Sequence, residues 1–377
     1  MPEIAVVGMS LGRGATDGVR DHATLLAEAL ERENVACSTH WLARTEGSML
    51  ASTAQIRAWT RALVDELGES RPRVILLHYS VFAYAHRGLP LFVHPTVSAV
   101  RRLKIPVLTM LHEFVYPWTH GGWQGKVWAL SQRAQLVEVM QASAAAIVTT
   151  EDRARWLASR RWLPRRRVEF APVFSNLPPP AARPPAAPDG QLLGLFGYSY
   201  QGAALSLVLD ALSRLAKRGL QVRLRLLGSP GPDSSVGRAW LEAARACEVE
   251  HLLSFSGRLP AQALADALGE CEVLLFADRP GPTSRKGTLA GSLASGRPVV
   301  AIDGPNSWPK LTSAGAVALV APSAGALADA LGSLLADEGA RERLGQRGRA
   351  FAEQELGVGL SAKVVIELLG EVRRGEL

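Results

Sequence analysis

A chain of 377 residues is longer than one ordinary domain, and about 150 residues per domain predicts two to three. Hydrophobic residues at 47% against 20% charged exclude disorder, and no apolar run reaches the ~20 residues of a membrane span. The net charge of +7 sits largely in residues 151–167, and three scattered cysteines, Cys37, Cys247 and Cys271, lack metal spacing, which predicts reduced thiols in a cytoplasmic compartment.

Along the chain, short β-rich apolar runs alternate with longer segments of helical period, the pattern of a parallel α/β fold. Met1-Pro2-Glu3 is too short and too acidic for a signal peptide, so residues 3–8 are predicted as a first buried strand. The glycine-rich run from Gly8 to Gly18 follows. Gly12 and Gly14 would allow close backbone approach to a sugar or acceptor, and Thr16 or Asp17 could cap the next helix. A merely structural turn is an equal reading. The spacing is not G-x-G-x-x-G and no acid stands at a ribose position, so a nicotinamide cofactor is not supported.

Further strands are predicted near 35–42, 73–79, 106–111, 145–150 and 167–173, with helices near 16–33, 53–69, 90–103 and 126–143. The third strand ends in His78-Tyr79 and the fourth in Leu111-His112-Glu113-Phe114. One strand-end histidine is more often structural than catalytic; two beside the same edge make the readings even. His112 is then expected to donate a hydrogen bond to a sugar hydroxyl or a phosphate, with Glu113 orienting it or binding the acceptor. Residues 151–167 set Arg153, Arg155, Arg160, Arg161, Arg165, Arg166 and Arg167 against Glu151 and Asp152, with Trp156 and Trp162 among them. Peripheral contact with anionic lipid head groups, or with an acidic acceptor, is one reading. A solvated helix face is the favoured one, because charge runs alone are weak evidence.

The proline run from Pro178 to Pro188 can continue neither a helix nor a central strand, and predicts a stiff linker over 178–190. It separates an acceptor-side domain, 1–177, from a nucleotide-sugar domain, 191–355, with a last helix, 356–377, expected to cross back to the first domain. Strands in the second half are predicted near 192–197, 221–228, 252–257, 272–277, 298–302 and 317–321. Helices are predicted near 203–218, 234–247, 260–269, 284–295, 323–336, 338–354 and 357–373. Two doubly wound domains place their ligands beyond the carboxyl ends of the strands, here in a cleft between them.

The segment Gly281 to Val300, GPTSRKGTLAGSLASGRPVV, is the most informative. It predicts a Gly/Pro turn after a buried strand and a helix whose first residues are Thr283, Ser284, Arg285 and Lys286. Free amides, hydroxyls and two cations at a helix start suit a diphosphate, held by Ser284, Arg285, Lys286, Gly287 and Thr288. Lys286-Gly287-Thr288 has the wrong order for a P-loop. No cluster has metal-ligand spacing and no Gly-x-Ser-x-Gly elbow occurs, so a metal-free site is expected. Nucleic acid is not an expected partner.

These residues resemble the retaining glycosyltransferases of the two-domain GT-B type, in particular the large bacterial group using nucleotide-diphosphate sugars. Similar motifs are Gly18-Val19-Arg20-Asp21-His22, Thr109-Met110-Leu111-His112-Glu113 and Ile147-Val148-Thr149-Thr150-Glu151. Phe255-Ser256-Gly257-Arg258-Leu259 is similar to the turn that faces the nucleobase, and Ala294-Ser295-Gly296-Arg297-Pro298-Val299-Val300 is the most specific match. The resemblance implies two Rossmann-like domains facing across a cleft, C-terminal helices packing back toward the first, and transfer of a sugar from a UDP- or GDP-linked donor with retention. No cofactor is implied beyond that donor. His112, Arg285 and Lys286 would be catalytic. Gly197, Ser199, Gly228, Arg258 and Leu259 would lie on the nucleobase and ribose side; Gly12, Gly14, Asp17, His78 and Glu113 would lie on the acceptor or sugar side. A glycan, a lipid carrier or a small molecule would be the acceptor.

Two departures stand out. The family's E-x7-E pair falls on Thr283 and Gly291, so both carboxylates are missing, and Gly197-Tyr198-Ser199-Tyr200-Gln201-Gly202 lacks the usual Arg and Lys. Arg285 and Lys286 are expected to compensate. A nucleotide-sugar epimerase or phosphorylase of this fold, and a catalytically silent sugar-binding subunit, are the alternatives.

Overall fold

The computed structural model describes residues 2–11, 17–45, 47–118, 121–181, 191–197, 204–228 and 231–377. The predicted Gly12, Gly14, Thr16 and Ser199 positions, and residues 182–190 of the proline linker, lie outside the described residues. The chain divides into two units, Met1–Pro172 with Val358–Leu377, and Val173–Gly357.

Unit 1 holds strands β1 (Ile4–Leu11), β2 (Cys37–Arg44), β3 (Val74–Ser80), β4 (Val107–Glu113), β5 (Ala145–Val148) and β6 (Arg167–Phe170). They form one parallel sheet of order β2-β1-β3-β4-β5-β6. Every residue of β3, Val-Ile-Leu-Leu-His-Tyr-Ser, is buried, as a strand covered on both faces requires. Covering helices are α1 (Gly18–Arg32), α2 (Met49–Ser70), α3 (Val93–Arg102), α4 (Gly122–Ala142), α5 (Glu151–Ala158) and, from the far end of the chain, α13 (Val358–Arg374). The Ser361 hydroxyl donates to the Pro172 carbonyl at 3.4 Å, Arg167 pairs with Glu371 at 2.5 Å, and Arg373 pairs with Glu3.

Unit 2 repeats the plan with β7 (Gln191–Phe196), β8 (Val222–Leu227), β9 (Leu253–Phe255), β10 (Val273–Phe276), β11 (Val299–Ile302) and β12 (Ala318–Val320). The order is β12-β11-β10-β7-β8-β9, again parallel. Its helices are α6 (Leu205–Lys217), α7 (Ser235–Ala246), α8 (Ala261–Gly269), α9 (Gly287–Ala294), α10 (Pro309–Ser313), α11 (Ala324–Ala336) and α12 (Glu338–Glu355). Leu209, Leu212 and Leu215 of α6 join Leu327 and Leu331 of α11 on one face of the sheet. In each unit the chain runs outward from its first strand in both directions. The crevices therefore open between β1 and β3, and between β7 and β10.

Helix α10 was not expected, whereas α5 falls within the 151–167 run, read there as a solvated helix face. The α5 signal is present in the sequence: the Thr150 hydroxyl accepts the Arg153 amide at 3.1 Å, and Glu151 and Asp152 fill the first turn. This helix dismantles the 151–167 run as a single basic patch. Arg153 pairs with Glu113, Arg155 with Asp152, Arg167 with Glu169 and Glu371, and Arg166 donates to the carbonyls of Met140 and Gln141.

Candidate active site

In unit 2 the loop after β10 and the start of α9 border the β7/β10 crevice. The Ala204 amide donates to the Ala277 carbonyl at 2.8 Å, which ties the segment following β7 to the mouth of β10. The structure corrects the expected helix start. Thr283, Ser284 and Arg285 precede the helix, and Lys286 is its extended N-cap residue, with φ −99° and ψ 103°. The cause is a tight loop before it. Gly281 takes φ 89°, the Lys286 amide turns back onto the Thr283 carbonyl at 3.3 Å, and the Ser284 carbonyl accepts the Val173 amide at 2.8 Å. Among the described residues no side chain caps α9, so the amides at its first turn, from Gly287 onward, keep their donor capacity for an anion. Thr283 is only 8% exposed, and its hydroxyl has no hydrogen-bond partner among the described residues.

A second correction concerns charge. Lys286 Nζ lies 2.7 Å from Asp278 Oδ2, so the expected pair of cations includes one already matched by a carboxylate. Asp278 lies two residues beyond the end of β10, and the turn at Gly281 folds the two together. On the neighbouring strand ends, Gly197 donates to the Leu227 carbonyl at 3.2 Å, and Gly228, with φ 69°, donates to the Ser256 hydroxyl at 3.0 Å. Gly197, Gly228, Arg258 and Leu259 thus occupy the ends of β7, β8 and β9 in one row.

Gly291 explains one missing glutamate. A Cβ built there would stand 3.0 Å from Phe196 Cε1 and 3.4 Å from Leu177 Cδ1, so an apolar ring holds the space beside this position.

In unit 1 the structure joins three histidines at the β1/β3 crevice. His78 Nδ1 and His112 Nε2 share a hydrogen bond of 3.0 Å with the rings stacked 5.3 Å apart. His22, on α1, meets His112 edge-on at 5.1 Å and His78 at 6.0 Å. Sequence reasoning missed His22 as a site residue, although it lies in the Gly18–His22 motif; its helix phase points it at the strand ends. Burial lowers the pKa of all three. For His22 the His112 ring adds to it; for His78 both other rings do. His112 is pushed down to about 4, first by burial; Glu113 acts in the raising direction and Arg153 in the lowering one.

Glu113 does not orient the His112 ring as expected. It pairs with Arg153 at 3.0 Å, and the same guanidinium donates to the His112 carbonyl. The ring is set by His78 instead. His78 Nε2 is buried without a hydrogen-bond partner among the described residues, so the arrangement without an orphaned N–H places the proton on Nδ1, donating to His112 Nε2. His112 then carries its own proton on Nδ1, a neutral donor. Asp17 proves to be the α1 cap: its Oδ1 accepts the Val19 amide at 3.1 Å and the Arg20 amide at 3.3 Å. Among the described residues no group of His, Cys, Asp and Glu could hold a metal ion.

Two parallel six-stranded Rossmann-like units, with candidate ligand sites at their switch points, are the architecture of the GT-B fold. Residues 191–337, all within unit 2, match the family described as glycosyl transferases group 1. No curated protein matches the sequence. Among solved structures, sucrose-phosphate synthase from Thermosynechococcus elongatus is similar at 16% identity and a TM-score of 0.72, with 100% of both chains covered. Anabaena HepE in complex with UDP and glucose is similar at 14% and 0.68, over 98% of this chain and 100% of that one. UDP-GlcNAc 2-epimerase from Neisseria meningitidis bound to UDP-GlcNAc is similar at 13% and 0.59, over 98% and 100%.

Proposed function

We propose that the chain is a glycosyltransferase, which takes its sugar from a nucleotide diphosphate, UDP- or GDP-linked, and passes it to an acceptor hydroxyl with retained anomeric configuration and without a metal. The uncapped start of α9 carries the reading. It offers main-chain amides at the β7/β10 switch point, beside a buried, unpartnered Thr283 hydroxyl and the Arg285–Lys286 cations. Departure of the nucleotide builds negative charge on the outer phosphate. The amides of Gly287 and Thr288, with Arg285 and Lys286, are fixed in place to receive it. Lys286 stays beside Asp278 and meets the phosphate as the donor enters, since a carboxylate beside a diphosphate is repelled unless a cation stands between them. His112, neutral and presenting Nδ1–H, donates to a hydroxyl of the transferred sugar or the acceptor. The bound UDP and UDP-GlcNAc of similar-fold proteins accord with such a donor.

A panel of nucleotide sugars, followed by acceptor-dependent release of nucleoside diphosphate, tests the reading. Chelation should leave the rate unchanged, and NMR of the product should show the donor's anomeric configuration. Arg285→Ala with Lys286→Ala should lower kcat by roughly two to three orders of magnitude. Turnover within a few-fold of wild type removes the diphosphate assignment. An altered donor without transfer would favour an epimerase, and binding without turnover a silent subunit.

A further inference from the structure

Helix α4 is apolar on two opposite faces. Gly125, Ala129, Leu136 and Met140 are buried against unit 1. Trp123, Val127 and Leu130 repeat the same spacing two residues out of phase, ~200° around the helix, and are 74%, 46% and 64% exposed. A solvated second face is expected to be polar, and an exposed apolar surface of this kind marks an interaction site. Trp118, 48% exposed, carries the Arg133 guanidinium of α4 at 4.3 Å from its ring. Arg160 lies close to Arg133, whose pKa is lowered first by burial and then by that second charge. Arg160 also stacks at 4.8 Å on Trp156, which meets the exposed Trp162 edge-on. No acidic residue occurs between Phe114 and Val137, and Lys126 neighbours Trp123 and Leu130 along the helix.

We propose that this face of unit 1 seats on an anionic lipid surface, with Trp123, Val127 and Leu130 entering the headgroup boundary and Lys126, Arg133 and Arg160 meeting lipid phosphates. Three arguments select this occupant. Protruding indoles flanked by cations suit a boundary that is apolar below and negatively charged above. A second copy of the chain would set these cations against themselves across a two-fold axis. Clustered arginines without acids among them gain most from a surface dense in negative charge. No described helix is long and apolar enough to cross a membrane, so the attachment is peripheral. The proposal is independent of the donor reading, because it is measured without any sugar nucleotide.

Co-sedimentation of the full chain with vesicles of phosphatidylcholine, alone or mixed with phosphatidylglycerol, is the test. Wild type should bind the anionic vesicles and neglect the neutral ones. Trp123→Ser with Leu130→Ser should weaken binding by about tenfold or more, and Lys126→Glu with Arg160→Glu should abolish the preference for phosphatidylglycerol. Circular dichroism establishes that each variant is folded. Wild type that ignores both vesicles, or a folded double-serine variant that binds as wild type does, overturns the proposal. So does sedimentation velocity showing wild type as a dimer and the serine variant as a monomer, which would assign the face to a second copy. Vesicle indifference together with specific binding of an acidic protein would assign it to that partner instead.

Discussion

Acid should destabilise unit 1 through its histidines, and the size of the effect follows from one of them. In the unfolded chain His112 takes up a proton near its ordinary value of 6.5, but in the folded protein only near about 4. Between those values the unfolded state binds the proton and the folded state does not, so stability falls as pH falls and levels off below about 4. The difference, 6.5 less about 4, corresponds to about 3 kcal/mol. His22 and His78 are lowered as well, but the three rings are in contact and titrate as a group, so their contributions do not simply add. Urea unfolding between about pH 7 and pH 4 measures the loss, with unit 1 followed separately because two units need not unfold together. His112→Asn keeps a hydrogen-bonding side chain beside His78 but cannot titrate, and should flatten the pH dependence by most of that amount. An unchanged slope in His112→Asn, or an imidazole titrating near 6.5 by NMR in the folded protein, refutes the reasoning.

Two further predictions address unit 2. A Cβ at Gly345 would lie 2.2 Å from the Gly296 carbonyl oxygen, where α12 crosses the turn after α9; Gly345→Ala should cost roughly 1–3 kcal/mol or more, read as an early calorimetric transition. Loss below about 0.5 kcal/mol would show that the contact relaxes. Thr283→Val removes the unpartnered hydroxyl with little change of shape, so it should leave melting unchanged or raise it while weakening nucleoside-diphosphate affinity several-fold by calorimetric titration. Unaltered affinity would separate Thr283 from the ligand.

The architecture was legible because a buried parallel strand is a short apolar run between helical periods, and such runs repeat through this chain. Predicted and observed strands differ by a few residues at their ends. The sites were legible only in part. His78 and His112 could be read as strand-end residues, whereas His22 joins them through the register of α1 against the sheet, which local pattern does not encode. Lys286 and Asp278 lie eight residues apart in sequence, and only the turn at Gly281 brings them to 2.7 Å. The second face of α4 was hidden by its own composition, since apolar residues on both sides of a helix read as more core. The missing glutamate at 291 was visible as a glycine, but its reason, the Phe196 ring beside it, is a contact between distant segments.

The two candidate sites have opposite electrostatic characters, and the proposed sugar transfer would account for both. In the proposed reaction a leaving diphosphate gathers negative charge, which the amides and cations at the start of α9 would meet. The sugar departing in that reaction becomes oxocarbenium-like and positive, and if His112 contacts it as proposed, a protonated imidazole would raise the barrier. Burying three histidines together, with Glu113 and Arg153 opposing each other beside His112, keeps that ring neutral while it still offers an N–H. A lone exposed histidine would be partly charged near its ordinary value of 6.5. The cluster thus trades acid stability for a hydrogen-bond donor that carries no charge. The predicted stability loss in acid and the proposed donor role of His112 would be two consequences of the same burial.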